Sequence, residues 1–173
     1  MILTGLEIIK EVRKGNIIIA PFDKSMINPN SYNYHLGDDY IEFDEDEEFN
    51  VKTGNGGGKR QKFLEERLLL EPNKLYLFNT LEKIGSSKFV TSLIGKSSMG
   101  RLGVFLQISA NLGHQSEIHR WTLEIRVVKP IWIYPRMVIG QITFWETSGE
   151  LFQSRGNYTN FDEPSASLGI NHS

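Results

Sequence analysis

Nine consecutive residues concentrate the chemistry of this chain: Gly95, Lys96, Ser97, Ser98, Met99, Gly100, Arg101, Leu102 and Gly103. Two bases, two hydroxyls and three glycines stand directly before the apolar run Val104-Phe105-Leu106. Glycine lets the backbone approach a ligand closely, hydroxyls and amides donate to phosphate oxygens, and a guanidinium grips two oxygens at once. The segment reads as an anion site, with a tight turn carrying solvated charges as the alternative. Downstream, Trp121-Thr122-Leu123-Glu124-Ile125 sets a carboxylate inside a β-branched strand, where acids are depleted. Strand alternation places Glu124 on one face with Thr122 and Arg126, and Leu123 and Ile125 on the other. If that face is buried, the carboxylate must be paired, or burial favours its protonated form and suits it to proton transfer near neutral pH. A pair with Arg126 on a solvent face fits the same pattern.

Elements of two kinds must position these groups. Thr4 followed by Glu7 is a capping-box pattern, and Ile8, Ile9 and Val12 recur at helical spacing before Gly15. The spacing predicts a helix over about residues 5–14. Beyond it, Ile17 to Ile19, Leu75 to Phe78, Phe89 to Ile94, Val104 to Ile108, Trp121 to Val128, Ile131 to Tyr134 and Gln141 to Trp145 are strand-length runs. They are rich in β-branched and aromatic residues, with glycine, proline and asparagine between them. Many short strands behind one helix argue for a mainly β domain, a barrel or jelly roll, over a parallel α/β sheet. Gly54-Asn55-Gly56-Gly57-Gly58 with Lys59 and Arg60 reads as a flexible surface loop, since a phosphate cradle would follow a strand and open a helix. The polar stretch from Ser154 to Ser173 is expected to be frayed, or ordered only against a ligand or neighbour.

A length of 173 residues suits one domain, here residues 1–160, with a tail over 161–173. A composition of 39% hydrophobic and 23% charged residues excludes disordered and collagen-like chains. No run approaches the roughly 20 apolar residues that span a bilayer, and the N-terminus lacks a secretory layout, so a cytoplasmic address and no membrane partner are expected. Without cysteine there is no disulfide, and zinc would depend on four histidines and carboxylates alone. Residues 38–48 hold eight acids and no base, which reads as a solvated face. Residues 95–140 hold six bases against two acids, and these charges interrupt apolar strands. A small anionic ligand fits there better than nucleic acid, since no long basic stripe with interleaved aromatics appears.

Several blocks in order resemble the trimeric dCTP deaminase and dUTPase superfamily, the dCTP deaminase branch in particular. They are Met1-Ile2-Leu3 leading a helix, Ile27-Asn28-Pro29-Asn30-Ser31-Tyr32 with Leu36-Gly37-Asp38, and Asn79-Thr80-Leu81-Glu82. Gly95 to Gly103, Thr122-Leu123-Glu124, Tyr134-Pro135-Arg136-Met137 and Ile139-Gly140-Gln141 complete the set. The resemblance implies a distorted jelly-roll β-barrel with a short N-terminal helix, assembled as a homotrimer with active sites shared between subunits. It implies zinc-independent deamination of a cytosine nucleotide, dCTP or a close variant, to the uracil nucleotide and ammonia. Glu124 would be the general base and Ser97 would hold the attacking water. Backbone groups at Ser109 and Ala110 would position water and base, while Lys96, Ser98 and Arg101 would serve the triphosphate or the neighbouring site, and magnesium would ride on the phosphates. Gln141 and Tyr158 match family residues near the nucleotide.

Two departures qualify that expectation. Where the family reads Ile-Asp-Pro-Gly, this chain has Asn111-Leu112-Gly113-His114-Gln115-Ser116, so the family aspartate is His114. Loss of that carboxylate argues against a pyrophosphate-releasing reaction, although an imidazole still hydrogen-bonds a sugar. His119 and Arg120 add polar groups beside Trp121, either near where the base is read or on a loop surface. In the tail, Arg155-Gly156-Asn157-Tyr158-Thr159-Asn160-Phe161 keeps the family tyrosine but not its lysine or glutamine. A nucleotide-binding module without turnover is the competing expectation, and a diphosphatase the less favoured third.

Overall fold

The computed structural model describes residues 1–43, 48–54, 57–63, 66–106, 110–150 and 162–168. Helix α1 (Gly5–Arg13) follows Thr4, whose hydroxyl accepts from the Glu7 N–H at 3.4 Å. Ile8 and Ile9 bury its apolar stripe, and Gly15, at a φ of +76°, lets the chain turn away after the cap at Lys14. The remainder is mostly β. Strands β1 (Ile17–Ala20), β2 (Tyr32–Glu42), β3 (Lys59–Lys62), β4 (Leu68–Leu70), β5 (Tyr76–Thr80), β6 (Lys83–Ser86) and β7 (Val90–Gly95) lead to a short helix, α2 (Ser97–Arg101). After it come β8 (Val104–Leu106), β9 (Leu112–Gly113), β10 (Ile118–His119), β11 (Thr122–Val127), β12 (Ile131–Ile133) and β13 (Val138–Trp145).

Eight strands form one antiparallel sheet in the order β8-β11-β5-β2-β13-β7-β9, with β3 joined to β2. Smaller sheets, β1-β6-β10 and β12-β4, lie beside it. Alternation supplies the core: Tyr32, Tyr34 and Leu36 of β2, Leu93 of β7, Leu123 and Ile125 of β11, and Ile142 and Phe144 of β13 are all buried. Strand β5, in the interior of the sheet, is buried at every position. Strands β7 and β8 sit near opposite ends of the sheet order, yet only α2 joins them. A Cβ on Gly95 would lie 3.4 Å from the Leu106 side chain, so the sheet curls until these strands meet.

The mainly β architecture and the leading helix match the sequence reading, and three local differences have physical causes. Strand β2 was hidden by Gly37-Asp38-Asp39 in its middle, and the acids there are paired across the fold. Asp38 meets Arg136 at 2.8 Å, Asp39 meets Arg60 at 3.3 Å and Glu42 meets Lys74 at 3.8 Å, so this part of the acidic run is not simply solvated. Lys59 and Arg60, read as loop, open β3, where Glu42 faces Lys59 and Ile41 faces Arg60 across the ladder. Asp44 to Glu47, Asn55 and Gly56 lie outside the described residues. The glycine-rich Ser97–Arg101 segment is one helical turn. Among the described residues no helix is long and apolar enough to cross a membrane.

Candidate active site

Segment 95–103 is built around Met99. That side chain is buried, while Ser97, Ser98 and Arg101 on the same short turn are exposed and Lys96 is half-buried. Gly103 closes the segment at a φ of +85°, and a Cβ there would come 2.3 Å from Val128. The Val128 N–H donates to the Gly103 carbonyl at 3.0 Å, which ties the turn to the end of β11. One apolar anchor thus holds two hydroxyls and two cations toward solvent. Among the described residues Lys96, Arg101 and Arg126 have no carboxylate within ion-pair distance, so their charge remains available to an anion.

Glu124 stands on β11 between β5 and β8, opposite Leu77. Leu123, Ile125 and Val127 fill the core, while Thr122 and Glu124 are half-exposed and Arg126 is exposed on the opposite face. The alternation expected from sequence is therefore the observed one. Arg126 borders a depression of about 360 Å³ shared with Pro72, Asn73, Phe105 and Val128.

Ala110 is exposed just ahead of β9. His114 is exposed in the turn after β9, where its N–H donates to a Glu117 carboxylate oxygen at 2.9 Å. Ser116, at a φ of +72°, donates its N–H to the Ser86 carbonyl at 2.7 Å, and the Gln115 amide donates to the Ser87 carbonyl at 2.8 Å. This pinned turn leaves the His114 imidazole facing solvent. Trp121 is half-buried, with its indole N–H donating to the Ile84 carbonyl at 2.9 Å, so its polar end is used within the fold. A Cβ on Gly113 would lie 2.2 Å from that ring, and His119 stacks on it at 4.2 Å between centroids. His119 is buried on β10, with Nδ1 2.9 Å from the Arg120 carbonyl, and is not on a loop surface. Ser109 and Tyr158, with the rest of the 151–161 tail, lie outside the described residues.

Gln141 is half-buried on β13, across from Ile94 of β7 and Asn33 of β2. Its Oε1 accepts from the Ser31 hydroxyl at 3.1 Å.

Sequence reasoning missed two sets of long-range contacts. Glu82, almost fully buried, accepts from the His35 N–H at 2.9 Å and faces His35 Nδ1 at 2.5 Å. Residues 162–168 lie along the start of β11. There the Ser165 N–H donates to Thr122 Oγ1 at 3.2 Å, Asp162 pairs with Lys83 at 3.4 Å, and Glu163 pairs with Arg60. Neither has a local signal, because the partners are 40 or more residues apart in sequence.

The comparisons with known proteins converge. Residues 2–147 match the family model described as dCTP deaminase-like. The chain is 45% identical over 161 residues to "dCTP deaminase, dUMP-forming" of Clostridium beijerinckii, covering 92% of this chain and 91% of that one. It is 41% identical over 153 residues to the dCTP deaminase of Rhodopirellula baltica, covering 87% and 74%. Among solved structures, 2'-deoxycytidine 5'-triphosphate deaminase from Agrobacterium tumefaciens has the same fold, with a TM-score of 0.64 at 20% identity. That match covers 83% of this chain and 47% of the solved one.

Proposed function

The chain belongs to the dCTP deaminase-like family, and on that premise we propose that it hydrolyses dCTP, replacing the C4 amino group with a carbonyl oxygen and releasing ammonia. The observation that carries this reading is 45% identity spread over 92% of the chain, with both chemistry-bearing segments inside the matched span 2–147. The named product of that relative extends the reaction to dUMP. A second water then cleaves the bond between the α- and β-phosphates and pyrophosphate leaves. This reverses the expectation drawn from His114.

In the proposed mechanism Glu124 takes a proton from water as the water oxygen bonds to C4. It passes that proton to N3, then carries the proton of the new C4 hydroxyl to the amine, so the C4–N bond breaks as the carbonyl forms and ammonia leaves. Ser97 holds the attacking water, backbone groups at Ser109 and Ala110 help to place it, and the Trp121 ring walls the base. Lys96, Ser98 and Arg101 grip the triphosphate, with Gln141, His114 and Tyr158 at the nucleotide. Magnesium, when bound, neutralises triphosphate charge. Residues 96–101 offer cations and hydroxyls without a carboxylate, which fits an ion held by phosphate oxygens and not by side chains.

Assembly as a homotrimer belongs to the same proposal. Ile94, Leu102, Phe105, Leu112 and Val128 are all exposed on strands and turns flanking the two segments, and a neighbouring copy would cover them. Light scattering is expected to give three times the 19.8 kDa chain mass.

Incubation with dCTP and magnesium is expected to yield ammonia, dUMP and pyrophosphate in equal amounts. Accumulating dUTP would overturn the second hydrolysis, and absence of ammonia would overturn the whole reading.

A further inference from the structure

Which end of its amide Gln141 turns outward is set by a chain of hydrogen bonds that begins at Asn28. The turn Asn28-Pro29-Asn30-Ser31 is fixed at both ends. Its Asn28 N–H donates to the Ser31 carbonyl at 2.8 Å, and the Gly5 N–H at the start of α1 donates to the Pro29 carbonyl at 2.7 Å. A Cβ on Gly5 would lie 2.2 Å from the Asn28 carbonyl oxygen, so helix and turn are in close contact. From this base, the Asn28 side-chain amide donates to Asn33 Oδ1 at 2.9 Å and to Ser31 Oγ at 3.2 Å. An amide NH₂ has two protons, and both are used here. A hydroxyl that accepts one bond turns its own proton elsewhere, and Ser31, which is buried, donates it to Gln141 Oε1 at 3.1 Å.

Gln141 sits opposite Ile94, three residues before Ser97, on the strand that leads into the phosphate-gripping segment. With Oε1 engaged by Ser31, the Gln141 NH₂ is the end left for a ligand. We propose that Asn28 and Ser31 are positioning residues that lock the Gln141 amide with its donors outward, so that it binds an oxygen of the nucleotide. Asn33 completes the lock by consuming the second Asn28 proton. This rests on the dCTP reading, and gives a role to the Ile27 to Tyr32 block that the reaction itself does not use. Burial of Ser31 raises the stake. Without its proton, the Gln141 carbonyl is free to swing outward, and oxygen would then face oxygen.

Steady-state kinetics with dCTP on Ser31→Ala, Gln141→Ala, the double variant and Gln141→Glu test the proposal. Wild-type turnover is measured first, so a failure of the dCTP reading shows itself separately. Ser31→Ala is expected to raise KM about tenfold with kcat nearly unchanged, and to add nothing in the Gln141→Ala background. Equal effects of Ser31→Ala in both backgrounds would overturn it, because Ser31 would then act through something else. Gln141→Glu keeps an acceptor for Ser31 but offers the nucleotide only oxygen, so its KM is expected to exceed that of Gln141→Ala. A KM no higher than that of Gln141→Ala would overturn the assigned polarity. Asn28→Ala, which leaves the buried serine in place, is expected to raise KM in the same direction by a smaller factor. An unchanged KM there would remove Asn28 from the relay.

Discussion

Glu82, in the turn between β5 and β6, and Glu124, on β11 beside β5, are two carboxylates that the fold treats differently. Glu82, after β5, is about 1% exposed, and its oxygens are engaged by the His35 N–H and ring. The Thr80 hydroxyl also donates to the Glu82 carbonyl at 2.8 Å, which fixes the backbone there. Glu124, on β11, is half-exposed beside Thr122 and Arg126, with its strand anchored from behind by Leu123 and Ile125. A charge that holds the fold together is surrounded by its own chain. Glu124, the proposed base, is held by its strand from behind and keeps part of its side chain exposed to solvent. The same contrast separates Asp38, Asp39 and Glu42, matched by Arg136, Arg60 and Lys74, from the cations Lys96 and Arg101 on their Met99 anchor.

Substitutions that separate the two kinds of charge give graded outcomes. Glu124→Gln removes the proton carrier and keeps the shape, and is expected to lower kcat for ammonia release by about a thousandfold with little change in thermal unfolding. Glu82→Ala is expected to cost about 3 kcal/mol in denaturant unfolding, because it leaves the His35 N–H without its buried acceptor. Arg101→Ala is expected to raise KM for dCTP about tenfold, and the wild-type affinity should itself weaken with added salt while Glu82→Ala shows no special salt response.

The smallest effect concerns Glu11, another buried carboxylate with its partners in the chain. Hydrogen bonds from Lys14 at 2.6 Å and Asn16 at 2.6 Å, with Lys88 nearby, hold its carboxyl below the usual range. A lowered folded-state value means that the unfolded chain binds the proton more readily. The stabilisation is therefore complete above the ordinary carboxylate range and is lost as pH falls through the lowered one. Glu11→Gln is expected to flatten the acid side of the plot of Tm against pH and to leave deamination unchanged. A profile as steep as wild type would remove Glu11 from the contrast.

Much of this was legible in the sequence, for local reasons. Helix α1 announces itself through Thr4, Glu7 and Gly15, and most strands through runs of β-branched and aromatic residues. Segment 95–103 stands out because two bases, two hydroxyls and three glycines fall within nine residues, and Glu124 because acids are depleted in strands. Pairing was not legible. Asp38 and Arg136 are 98 residues apart, Ser31 and Gln141 are 110 apart, and nothing near either member names its partner. Strand β2 disappeared for the same reason, since its acids look like loop until β3 and Arg136 are placed against them. Trp121 shows the limit at a single residue: its polar end is used by the Ile84 carbonyl, which only the curled sheet brings near.

The contrast between the two glutamates is tested most directly by measuring ammonia release from dCTP and thermal unfolding on the same preparations of Glu124→Gln and Glu82→Gln. The expected result is crossed: Glu124→Gln melts like wild type and releases almost no ammonia, whereas Glu82→Gln melts several degrees lower and, below its transition, still deaminates dCTP. Full ammonia release by a folded Glu124→Gln protein would contradict the assignment of Glu124 as the base.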